Sequence, residues 1–159
     1  MRSPDPGRRE TLGDMNRLRR WFPALVVACE IATILNGLVV GWVSVWFQLF
    51  GDTADRDDYL VSTGGYAAGA VAGLLGLLAL RRLEVTSWVF WLCAVGAGCL
   101  VPLALSSLSS AGSADDRGAG IDTWVDGAGG VLALPWTWVV VVLGLLALVG
   151  RGPRRATSP

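Results

Sequence analysis

The chain has 159 residues, 53% hydrophobic and 16% charged, with thirteen basic and thirteen acidic side chains and no histidine. The missing imidazole excludes the commonest metal ligand, the usual general base near neutral pH and histidine-ligated haem. At this length one compact unit is expected, because the connecting segments are too short to hold a second domain. All thirteen basic residues are Arg, which together with the abundance of Ala, Gly and Val points to a GC-rich bacterial genome.

Residues 1–14 mix Arg, Asp and Glu with Pro and Gly and carry almost nothing apolar, so a disordered cytoplasmic segment is expected there. Met15 offers a second translation start. Arg17, Arg19 and Arg20 ahead of an apolar run resemble a signal peptide, but the run is too long and Glu30 interrupts it, so cleavage is not expected. Residues 15–150 read as one transmembrane domain with four apolar runs, at 21–48, 59–80, 85–105 and 130–149. Each run can supply the roughly 20 apolar residues that cross a hydrocarbon core about 30 Å thick. Two outer loops, 51–58 and 106–129, a cytoplasmic turn, 81–84, and a cytoplasmic tail, 151–159, complete the division.

In the first span Glu30, Thr33, Gly37, Gly41, Ser44 and Gln48 fall within an arc of about 80° at helical periodicity. The rest of that surface is Leu, Val, Ile, Trp and Phe, which suits lipid. The second span carries Gly65, Gly69 and Gly73 at intervals of four, with Ala72, Gly76 and Ala79 beside them. Small residues so spaced let another helix approach closely, where dispersion replaces the hydrophobic drive that lipid removes. The third span places Ser87, Ala94 and Gly98 on one side, and only Arg81–Glu84 separate it from the second, which makes the two antiparallel neighbours. The fourth aligns Gly130, Ala133, Thr137 and Gly144, with Pro135 in its first turns giving a modest kink.

Eleven of the thirteen arginines lie in the N-terminal segment, the 81–84 turn and the C-terminal tail, leaving only Arg56 and Arg117 in the other loops. The positive-inside rule then places both termini in the cytoplasm, which requires an even number of spans. The expected fold is an all-α integral membrane protein of the plasma membrane: an antiparallel four-transmembrane-helix bundle, its small-residue faces turned inward. The packing set is Gly37, Gly41, Gly65, Gly69, Gly73 and Gly76. Trp21, Trp46, Trp88 and Trp136 fall near membrane–water boundaries, where indole finds both apolar and polar surroundings.

Glu30 is the one charged side chain deep in a span, at a cost of roughly 2.5–3.5 kcal/mol on insertion scales. Either it is a neutral, hydrogen-bonded structural acid, or it handles a proton or cation in a wet cavity. Thr33 and Ser44 are its candidate hydrogen-bond partners along the stripe. The three cysteines, Cys29, Cys93 and Cys99, lie in apolar runs; an odd number of embedded thiols is no disulfide framework, and they read as small packing residues. In the 106–129 loop, Ile121, Trp124 and Val125 share one helical face suited to a membrane surface. The aspartates from Asp52 to Asp58 and at Asp115, Asp116, Asp122 and Asp126 form a solvated acidic surface without calcium-loop spacing. No nucleophile motif or phosphate loop is present, so no catalytic residue, metal site or cofactor is assigned and an enzyme is not expected. The Arg clusters are accounted for as orientation signals, with no nucleic-acid partner.

In outline, a small four-helix chain with a lone acid in its first helix resembles the small multidrug resistance transporters. The local match is Cys29-Glu30-Ile31-Ala32-Thr33. The later aromatic and glycine signature of those transporters is absent, and the loop after the third span is longer. The leading expectation is therefore a structural or accessory membrane component that acts by helix packing, in the lipid bilayer, as a homo-oligomer or within a larger membrane complex. The alternative, which is what the resemblance implies, is a proton- or cation-coupled small-solute transporter or channel component using Glu30.

Overall fold

A computed structural model describes the backbone of residues 6–49, 56–113 and 121–150, and the side chains of 21–43, 56–113 and 123–150. Every element is helical: α1 (Pro6–Leu49), α2 (Arg56–Arg82), α3 (Ser87–Ser113), α4 (Ile121–Leu132) and α5 (Pro135–Val149). Among the described residues, three stretches are long and apolar enough to cross a membrane: Trp21–Val43 of α1, all of α2 and all of α3. The pair α4–α5 makes a fourth only if both helices are counted as one span, since they meet at 86°.

Two expected irregular regions are largely helical. The N-terminal segment expected to be disordered is helix from Pro6 onward, while residues 1–5 lie outside the described set. Most of the expected 106–129 loop is also helix, because α3 runs on to Ser113 and α4 begins at Ile121. The serines that suggested a flexible stretch bond back within the helix, Ser110 Oγ donating to the Ser106 carbonyl at 3.1 Å and Ser113 Oγ to that of Ser110 at 2.9 Å. Ser107 Oγ crosses to the Tyr59 carbonyl of α2 at 2.8 Å and ties down the far end of α3.

Helix α2 is the hub, packing against each of the other four. Its ends suit the helix dipole, with Asp57 and Asp58 in the first turn and Arg81 and Arg82 in the last. Small residues let its neighbours close in. An added Cβ on Gly37 would stand 3.0 Å from the Gly69 Cα, and one on Gly41 would overlap the Tyr66 ring. With Glu30 lying beside Gly76, these pairs show that α1 and α2 run in opposite directions. The pairs Gly73–Ala97 and Tyr59–Ser107 say the same of α2 and α3. Helix α5 instead follows the direction of α2, from Val140 beside Gly76 to Gly150 beside Arg82.

The α2–α3 turn closes with an amide of Val85 on the Leu80 carbonyl at 3.4 Å and Glu84 at φ 50°. This is the left-handed closure usually given to glycine. The α4–α5 break is the larger departure from expectation, being a corner instead of a modest kink at Pro135. Proline removes an amide there, and the carbonyls left over are taken by side chains. Asn36 Nδ2 of α1 donates to Gly130 at 3.3 Å, Thr137 Oγ1 to Val131 at 3.0 Å and Trp138 Nε1 to Leu132 at 2.8 Å. Backbone at membrane depth can leave the helix where protein satisfies it in this way. Beyond the corner, α4 crosses α2 almost backbone to backbone: a Cβ on Gly64 would overlap the Trp124 carbonyl oxygen, and one on Gly127 that of Val61. Trp124 and Val125 are exposed on its outer side, which fits the surface helix expected around 121–125.

Candidate functional site

The described part of the stripe expected on α1, Glu30 to Gly41, is buried, while the Ser44 and Gln48 side chains lie outside the described residues. Val26, Glu30, Thr33, Ile34, Gly37 and Gly41 are all buried, at the spacing of a single helix face. Glu30 has no solvent exposure, and neither of its carboxylate oxygens has a hydrogen-bond partner. Its side chain crosses to α2 and rests on two glycines. A Cβ on Gly76 would overlap Oε2, and one on Gly73 would stand 3.6 Å from Oε1. Val140 of α5 closes on the same spot beside Gly76. The buried thiol of Cys93 on α3 lies within electrostatic range of the carboxylate. Four helices thus meet around one acid.

Of the two expected hydrogen-bond partners, Thr33 does not serve it. Thr33 is fully buried next to the site, but its hydroxyl donates to the Cys29 carbonyl one turn back at 2.8 Å. A threonine inside a helix has that carbonyl within reach, and the bond uses its only donor. The Ser44 side chain lies outside the described residues. Asn36, which sits off the stripe, is engaged at the α4–α5 corner.

All six glycines of the packing set are buried within the chain. Gly37 meets Gly69, Gly41 meets Tyr66, Gly65 meets Val40, Gly73 meets Ala97, and Gly76 meets Glu30. The special service of Gly73 and Gly76, making room for a carboxyl group, could not be foreseen from spacing. Nor could the Val140 and Cys93 walls, because which faces oppose one another is tertiary information.

The expected face of α3 is corrected. Cys93, Ala97, Leu100, Ser107 and Ala111 are buried, whereas Ser87 and Gly98 are exposed. Both faces of α3 carry small residues, so size alone could not choose between them; Leu100 decides, filling the space left by Gly37 and Gly69. On α4–α5 the buried set is Gly127, Val131, Thr137, Val140, Gly144 and Ala147, with Gly130 and Ala133 exposed. Cys29 is half-buried and Cys99 exposed, and both thiols are free, as is Cys93. Trp42 and Trp91 point outward, at 54% and 63% exposure.

At the Arg82 end, α1, α2 and α5 leave a cleft of about 180 Å³. Its walls are Phe22, Ala79, Leu83, Leu143, Leu146 and Ala147, with Arg82 the one charged group among the described residues. Among the described residues no three His, Cys, Asp or Glu side chains come together as a metal site would require. The acids at Asp52, Asp55, Asp115, Asp116 and Asp122 lie outside the described side chains.

The fold and site define an all-helical chain with three or four helices able to span a membrane and one orphaned acid at the centre. No protein-family model matches the chain, and no curated protein or solved structure matches it.

Proposed function

We propose that this is a multi-pass plasma-membrane protein in which Glu30 binds and releases a proton during a proton- or cation-coupled transport step. α1, α2, α3 and the broken pair α4–α5 would make four passes, and the Arg-rich end, carrying both termini, would face the cytoplasm. On this reading the protein is not an enzyme. The observation that carries the proposal is the fully buried carboxyl whose two oxygens have no partner.

An ionised carboxylate without a donor or counter-ion in such a place costs several kcal/mol. The packed arrangement therefore suits the neutral acid. Losing the proton requires water or a cation to reach Glu30, and the α1–α2–α5 contact must part to admit either. Protonation and helix separation become two sides of one equilibrium, which is what a coupled carrier needs. The glycines that might have formed a seam with a partner are spent on contacts inside the chain, which favours this reading over a purely adhesive role.

The test is an imposed pH gradient across proteoliposomes, read with an enclosed dye, for wild type and Glu30→Gln. Wild type should dissipate the gradient and Glu30→Gln should not, with the infrared band of a protonated carboxyl lost in the same variant. Equal flux from both, or no such band in wild type, overturns the proposal. Reporter fusions check the threading: a reporter active only outside the cytoplasm should be silent at the C-terminus.

One observation supports a second reading, a structural or accessory component. Most of α3 is uncovered, and Gly98 and Gly112 have nothing within 4 Å of an added Cβ. A partner helix could lie there. Copurification in mild detergent, with Gly98→Leu as the disrupting variant, tests that reading.

A further inference from the structure

The cleft at the Arg82 end takes no part in holding Glu30. It is open on one side, apolar along its walls and, among the described residues, edged by one guanidinium. Arg82 does not extend away from it: one guanidinium nitrogen lies 2.7 Å from where a Cβ on Gly150 would stand, so the charge lies beside the end of α5. An apolar slot beside a cation is complementary to an amphiphile with an anionic head. Basic pockets between membrane helices capture lipid head groups by this combination. Guanidinium suits phosphate in particular, since it offers two parallel donors to two oxygens.

We infer that this cleft seats the upper part of one acyl chain of an anionic phospholipid, with its phosphate on the Arg82 guanidinium. The occupant comes from the leaflet at that end of the molecule, because, on the membrane reading proposed above, the slot lies beside the Arg82 end of α2, a helix long enough to cross. Arg81, next in sequence and equally exposed, does not line the cleft and serves as the internal control.

The experiment uses the full chain in micelles containing equal amounts of dioleoyl-phosphatidylglycerol and dioleoyl-phosphatidylcholine, with bound lipid read by native mass spectrometry. Wild type should retain the phosphatidylglycerol in preference. Arg82→Gln should cut that preference about tenfold, the worth of one charge-assisted contact. Arg81→Gln should leave it nearly intact, and Leu143→Trp, which fills the slot, should release both lipids. Should Arg82→Gln not fold, Arg82→Lys replaces it, with a smaller loss expected because one donor pair is gone. Equal retention of the two lipids by wild type refutes the assignment. So does an Arg81→Gln loss matching that at Arg82, or a Leu143→Trp variant that still holds lipid. None of these readouts depends on Glu30, so they stand or fall apart from the proton proposal.

Discussion

A methyl group placed on Gly76 probes the seat of Glu30 directly. It would overlap Glu30 Oε2 and crowd Val140 Cγ1. Both neighbours are fully buried, so neither can swing into open space. Helix propensity alone favours Ala over Gly by up to about 1 kcal/mol. Crowding a packed core costs about 1–3 kcal/mol, which outweighs the propensity gain, so Gly76→Ala should destabilise by up to about 2 kcal/mol. Gly98→Ala is the control: nothing lies within 4 Å of its Cβ, so only the propensity gain remains. In a Glu30→Ala background the carboxyl group is gone, and the Gly76→Ala penalty should shrink by about 1–2 kcal/mol, within the range of coupling between touching residues. Unfolding by sodium dodecyl sulfate in mixed micelles, followed through the eight tryptophans, reads all four variants. If the coupling is below about 0.5 kcal/mol, the limit for independent sites, the carboxyl does not rest on Gly76 and the argument fails.

Gly69→Leu should lower stability by about 3 kcal/mol or more in the same assay, since the Gly37 backbone leaves no room for a side chain. Thr137→Val, nearly isosteric, leaves the buried Val131 carbonyl without its donor. A loss of about 1–3 kcal/mol is expected, with faster hydrogen exchange in α4 than in α2; unchanged exchange would show that the corner does not need this bond. Glu84→Gly should stabilise by about 1 kcal/mol, by relieving a left-handed residue at the α2–α3 turn; a lower unfolding midpoint would contradict it.

How far the sequence could be read varied with the kind of information each feature needs. The α1 face was legible because Glu30, Thr33, Gly37 and Gly41 differ in kind from the Leu and Val around them. The glycines of α2 were legible for the same reason. The buried side of α3 was not, because in lipid an outward face is as apolar as an inward one, and Gly98 looks no different from Ala97. The corner before α5 needs donors from Asn36, Thr137 and Trp138, two of them six residues from their acceptors and one ninety-four. Pro135 alone announces only that something interrupts the helix. Residues 106–113 misled by composition, since serine favours turns in general yet here bonds back along α3. The segment from Pro6 to Asp14 misled in the same way, its charges suggesting disorder where α1 extends.

The corner also has a mechanical consequence for the surrounding bilayer. Helix α5 has 15 residues, about 22 Å of rise, against 27 residues and about 40 Å for α3. In the threading proposed above, α4 turns away from α5 at 86° and adds little height, so that flank would be shorter than about 30 Å of hydrocarbon while the α3 flank would be taller. Lipids beside α5 would then compress and those beside α3 stretch, giving the protein a built-in thickness gradient. It should partition toward thin or strongly curved patches, and reconstitution in bilayers of graded acyl length should show its best stability below the average thickness. An optimum at long chains would contradict this thickness gradient.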